Sequence, residues 1–162
     1  DGLQGVENVI SETFPQAKIQ RCIVHISRNI SAKVRVSDRK GILDDFKEVY
    51  NSKTKEQAET TLNGFKDKWK RKYPQVIKIL ENNHHLFTYF DYPKEVRSSI
   101  YTTNLIEGVN KQIKRKFKSK EQFPTEQSME KYLVSQFEQY NDKFMNRVHR
   151  GFGQTTRDQW FQ

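Results

Sequence analysis

The chain has 162 residues, with 29 Lys plus Arg against 20 Asp plus Glu, a formal net charge of +9, 34% hydrophobic residues and 12% aromatics. That length suits one domain or one domain with a small insertion, and the aromatics supply enough buried area for a core, which argues against disorder over most of the chain. No stretch approaches the ~20 apolar residues of a bilayer crossing and no signal peptide is visible; the lone cysteine, Cys22, excludes an intrachain disulfide and suits a reducing compartment.

Asp1, not Met, opens the chain, so a piece of a longer protein is expected. Leu3, Val6 and Ile10 predict a helix over 3–13 that ends at Phe14-Pro15. The alternation in AKIQRCI predicts a short strand over 17–23. Ile26, Ile30 and Val34 share one side of a helix over about 24–34. Asp38 is placed to cap a helix that buries Ile42, Phe46 and Val49. Thr54 and Gln57 have the form of a capping box, and Ala58, Leu62, Phe65 and Trp69 fall on one face behind it, which makes Trp69 a core residue. Tyr73-Pro74 ends that helix, and Pro74 opens the next with Val76, Ile77 and Leu80. An aromatic stretch over 85–93 closes at Pro93, and a short helical piece follows. In 101–117, Ile106, Val109, Ile113 and Phe117 form an apolar stripe, with Glu107, Asn110, Lys111 and Lys114 on a polar face. Pro124 and Thr125 start the last long helix, and the tail from Gly151 is expected to be loose. A lone strand cannot satisfy its own backbone, so either the fragment is helical with a stray extended piece or its sheet lies upstream.

The charge is clustered. Residues 111–120 hold six bases and no acid, residues 66–72 hold five bases and one acid, and Lys33, Arg35, Arg39 and Lys40 form a looser group. Any one cluster reads equally as a solvated helix face; three together favour a nucleic-acid surface. Glu107 alone reads as a salt bridge to Lys111 four residues on, and Asp1 alone as a turn or cap acid. Cys22 and His25 are half of a zinc site at best, with only the adjacent His84 and His85 to complete it. A buried cysteine hydrogen-bonded to a histidine is the preferred reading; a Cys-His nucleophile pair has no visible orienting partner. No Walker loop, G-x-G-x-x-G, H-E-x-x-H or G-x-S-x-G occurs.

Taken in order, DGL at 1–3, FPQAKIQRCIVHISRNI with its C-x-x-H, the DRK and KWKRKYP blocks, and FDYPKEVRSSIYTTNLIEGVNKQIKR make the chain resemble the C-terminal half of bacterial Mutator-type insertion-sequence transposases. These are DDE enzymes with a ribonuclease-H-like core. The resemblance implies that Asp1 is similar to the second acid of the triad and Glu107 to the third, with the first upstream. It implies a mainly α chain with one or two short strands: a partial ribonuclease-H-like α/β core over 1–36, an all-helical insertion over 37–98, and C-terminal core helices over 99–162. It further implies two Mg²⁺ or Mn²⁺ ions held by Asp1 and Glu107, and DNA phosphates met by Lys111, Lys114, Arg115, Lys116, Lys118 and Lys120. Cys22 and His25 stand as a structural signature. The expected partners are transposon-end and target DNA and further copies of the chain, without a membrane, in the bacterial cytoplasm at the nucleoid. The fragment is expected to be inactive alone, with exposed apolar faces in its first 25 residues and a Glu107 carboxylate that faces the Asp1 end. The rival readings are a non-catalytic basic helical DNA-binding module or decayed transposase remnant, and a zinc-stabilised interaction domain.

Overall fold

A computed structural model describes residues 5–149 and 151–154. Among them are eight α-helices: α1 Val6–Thr13, α2 Ile23–Ala32, α3 Val36–Tyr50, α4 Lys55–Trp69, α5 Pro74–Glu81, α6 Lys94–Ile100, α7 Asn104–Lys118 and α8 Glu126–Phe144. The chain is mainly helical, as expected. The short strand expected over 17–23 is not formed, and no strand occurs among the described residues. Residues 17–22 form neither helix nor strand, and loops satisfy some of their hydrogen bonds instead. The Arg21 amide donates to the His85 carbonyl at 2.9 Å and the Ile23 amide to the Tyr101 carbonyl at 2.9 Å. The Gln20 side chain donates to the Leu86 carbonyl at 2.9 Å and accepts from the Tyr89 amide at 2.9 Å. This segment therefore stitches the aromatic stretch and the entrance to α7 onto the start of α2.

Helices α2 to α5 bury one continuous core. Ile26 and Ile30 of α2 meet Ile42, Phe46 and Val49 of α3, Leu62 and Phe65 of α4, and Val76 and Leu80 of α5. The 3–4 spacing read from the sequence places all of these inward. Asp38 is not the cap of α3: Arg35 occupies that position, and Asp38 lies in the first turn. Helical geometry already begins at Val36, so the Asp38 carboxylate sits too far along to cap and reaches sideways instead. It accepts the Tyr73 hydroxyl and pairs with Lys72 Nζ at 2.7 Å. The hydrogen bonds from Lys72 and Tyr73 hold its carboxyl below the usual aspartate range. Thr54 does cap α4, accepting from the Gln57 amide at 3.2 Å, while Gln57 reaches back to the Lys53 amide at 3.0 Å. Trp69 packs against the core and donates its indole N–H to Asp45 at 2.7 Å. It is half-buried against the core, on the face its stripe predicts.

Helix α1 buries none of its residues. Polar contacts hold it: the Glu7 carboxylate meets Arg21 at 2.6 Å and His85 Nε2 at 2.8 Å. Val6, Val9 and Phe14 are exposed, as expected for the early segment, whereas Cys22 and Ile23 are buried. Helices α7 and α8 form a hairpin closed by the rings of Phe117, Phe123 and Tyr132, with centroids 5.3 to 5.4 Å apart. Thr125 and Ser128 close a reciprocal cap at the start of α8. The loose tail expected from Gly151 is not seen at 151–154, where Phe152–Gln154 make a 3-10 turn beside α6. Gly151 has φ 90°, and a Cβ there would lie 1.9 Å from the Glu95 carbonyl oxygen, so glycine alone permits this approach.

Candidate functional site

The first turn of α7 carries Glu107, whose carboxylate lies at the positive end of the helix dipole. The basic residues gather at the other end, where the dipole favours cations. The sequence also placed a salt bridge to Lys111 in contention for Glu107. The structure turns the carboxylate back toward the helix start instead. Thr103 Oγ1 donates to Glu107 Oε1 at 3.0 Å, and His25 Nε2 lies 3.4 Å from the same oxygen. Cys22 Sγ is 3.5 Å from Thr103 Oγ1. Four side chains thus join the start of α2 to the start of α7, 81 positions apart at the Cys22–Thr103 contact.

Burial orders this group. Cys22 is 4% exposed, while the Glu107 side chain is 42% exposed and the His25 side chain 28%. Burial pushes the Cys22 thiol up, but hydrogen bonds from Thr103 and His25 outweigh it and bring the thiol down to about 7. Thr103 owns one hydroxyl proton, and an ionised carboxylate can only accept. When Thr103 donates to Glu107, the Cys22 thiol is left to donate to the Thr103 oxygen. The fold therefore supplies the orienting acid beside His25 that the sequence did not reveal. The sulfur itself is almost wholly buried, beside a pocket of about 330 Å³ that Cys22 and His25 help to line. The buried, hydrogen-bonded cysteine is what the structure shows.

The basic residues of α7 and of the turn after it divide into two sets. Lys111, Lys114, Arg115 and Lys118 line, with Glu107 and Asn110, an open groove of about 460 Å³. Lys116 and Lys120 face α8: Lys116 Nζ donates to Gln139 at 3.1 Å and Lys120 Nζ lies 5.3 Å from the centre of the Tyr132 ring. The second cluster is largely self-neutralised, since Lys68, Lys70 and Lys72 pair with Asp45, Asp67 and Asp38 at 2.6 to 2.7 Å. In the third, Arg39 donates to the Ser31 carbonyl at 3.1 Å. His84 is exposed, and His85 is committed to Glu7, so neither completes a zinc site. Among the described residues no group of three or more His, Cys, Asp or Glu side chains is arranged to hold a metal ion.

Asp1 lies outside the described residues, and so does the expected approach of Glu107 to it. Thr103 was missed in the sequence. Its one signal is its position immediately before the helical stripe, which reads as an ordinary cap.

The chain belongs to the Mutator family of transposases, whose family model matches residues 1–147. It is similar to the transposase for insertion sequence element IS905 of Lactococcus lactis, 48% identical over 154 residues that cover 95% of this chain and 39% of that protein. The transposase for insertion sequence element IS1201 of Lactobacillus helveticus is 44% identical over 141 residues, covering 86% of this chain and 38% of its own length. A probable transposase for an ISRM3-like element of Sinorhizobium fredii is 34% identical over 135 residues, covering 82% and 34%. The chain thus spans about two-fifths of the length of the first two relatives. No helix among the described residues is long and apolar enough to cross a membrane.

Proposed function

We propose that this chain supplies two of the three acids, Asp1 and Glu107, of a DDE transposase that cuts and joins DNA, with the first acid contributed by the part of the relatives' length that lies outside it. The reading divides the chain into a partial ribonuclease-H-like core over 1–36, a helical insertion over 37–98 and core helices over 99–162. The observation that carries it is the placement of Glu107. An accessible carboxylate shares an open surface groove with four cations of the same helix.

The donor chemistry of Glu107 fits a hard divalent cation, which takes carboxylate oxygens. Among the described residues Thr103 and His25 both approach Oε1, and the side chain is 42% exposed, which leaves carboxylate surface open to a ligand. The described residues alone do not make a metal set, which is why Asp1 and an upstream acid belong to the proposal. Divalent ions of the Mg²⁺ or Mn²⁺ kind, when bound, activate the attacking hydroxyl and neutralise charge at the scissile phosphate. The chain's own task is to hold that phosphate in place. Lys111, Lys114, Arg115 and Lys118 recur along one side of α7 and grip successive phosphates, fixing register without reading sequence. Lys116 and Lys120, exposed beside α8, extend this track. On this reading the protein acts in the cytoplasm at the nucleoid, on transposon-end and target DNA, with a second copy bringing the paired ends together.

The test is Glu107→Gln in the full-length protein. Strand transfer should fall by at least a thousandfold while affinity for end DNA is retained. Wild-type transfer by the Gln variant sinks the catalytic assignment and leaves a basic helical DNA-binding module. The purified 162-residue chain should show no Mg²⁺- or Mn²⁺-dependent nicking.

A further inference from the structure

We propose that Cys22, His25 and Thr103 are positioning residues that lock the Glu107 carboxylate into one orientation for metal binding. This rests on Glu107 being the metal-binding acid. The sulfur of the C-x-x-H pair is buried, and no zinc set surrounds it among the described residues.

Three observations carry the proposal. First, Thr103 occupies the N-cap position of α7, yet its side chain makes no cap hydrogen bond; the hydroxyl goes to Glu107 Oε1 instead. A cap threonine that forgoes its backbone amide has been recruited to another purpose. Second, both contacts to the carboxylate fall on one oxygen, Thr103 at 3.0 Å and His25 at 3.4 Å. A partly exposed glutamate otherwise samples several rotamers, and two contacts from different elements select one. Third, Cys22 Sγ lies 3.5 Å from the Thr103 hydroxyl, so the buried cysteine backs the group that holds Glu107. The Ile23 amide to Tyr101 carbonyl bond, at 2.9 Å, ties the two backbones together beside these side chains. The clamp thus couples α2 to the acid on α7, in the way that groups hydrogen-bonded to a ligating carboxylate set its orientation.

The experiment uses the full-length transposase on a duplex carrying its element's terminal repeat, with Thr103→Val, Thr103→Ser, His25→Ala and Glu107→Gln. Free Mn²⁺ is measured by electron paramagnetic resonance, DNA affinity by fluorescence anisotropy and Tm by circular dichroism. Thr103→Val and His25→Ala should raise the half-saturating Mn²⁺ concentration on the order of 10–100-fold and lower kcat similarly. KM for DNA should stay unchanged. Thr103→Ser, which keeps the hydroxyl, should restore both. Unchanged Mn²⁺ binding in Thr103→Val and His25→Ala overturns the clamp. So does stoichiometric zinc that survives dialysis and is lost in His25→Ala. If His25→Ala fails to fold, Thr103→Val, close to threonine in shape, decides alone. Normal Mn²⁺ binding and transfer in Glu107→Gln defeats the underlying site assignment; an inactive Glu107→Gln beside unaffected clamp variants defeats the clamp only.

Discussion

Phe46→Ala probes the packing on which α2 to α5 depend. Phe46 is 1% exposed, and its ring meets Phe65 edge-on with centroids 5.8 Å apart and Tyr50 at 5.6 Å. Truncation removes a large apolar surface from the centre of the α3–α4 contact and leaves a void that rigid neighbours fill only in part. Such substitutions cost about 3–5 kcal/mol. In a domain of this size each kcal/mol moves Tm by roughly 2–4 °C, so the melt should fall by roughly 6–20 °C. Thermal melts by circular dichroism, with urea titration, measure this. Phe137→Ala is the control: Phe137 is 41% exposed on α8, and its loss should cost under about 1 kcal/mol. A cycle with Phe65→Ala should return a coupling of roughly 0.5–1.5 kcal/mol for the aromatic pair. A Phe46→Ala effect no larger than that of Phe137→Ala refutes the packing argument.

Trp69→Phe should cost about 1 kcal/mol in the same melts, because it removes the 2.7 Å indole bond to Asp45 while keeping the ring. Asp38 gives a pH signature. Its folded pKa is depressed by Lys72 and Tyr73, so its stabilisation is fully present above the ordinary aspartate pKa of about 3.9 and is lost as pH falls through the lower folded value. The Tm gap between wild type and Asp38→Asn should therefore be constant near neutrality and close in acid; a gap that persists at pH 2 contradicts this. Lys111→Ala and Lys114→Ala should each reduce the slope of log K against log salt for duplex DNA by about 0.9, whereas Lys68→Ala, paired with Asp45, should leave it unchanged. Equal effects from all three would dissolve the distinction between the α7 groove and the neutralised cluster.

Sequence periodicity determined the helices because burial along a helix repeats with its own pitch. Ile42, Phe46 and Val49, or Ala58, Leu62 and Phe65, are inward wherever the partner helix lies. Thr54 and Pro74 marked helix starts for equally local reasons, an orphan amide to satisfy and a preset φ. Local rules failed where a residue's partner came from far along the chain. The 17–23 segment looked like a strand, but only the fold shows that loops at 85–86 and 101 occupy some of its hydrogen bonds. Asp38 looked like a cap, and the approach of Tyr73 and Lys72 gave it another use.

The site divides along the same line. Glu107 and the bases after it were legible, since they lie within three turns of one helix. That Thr103, His25 and Cys22 converge on Glu107, and that Lys116 and Lys120 reach α8, was decided only in three dimensions. Spacing along a helix specifies a face; which other element fills that face depends on chain closure over 80 or so positions, which no local pattern encodes.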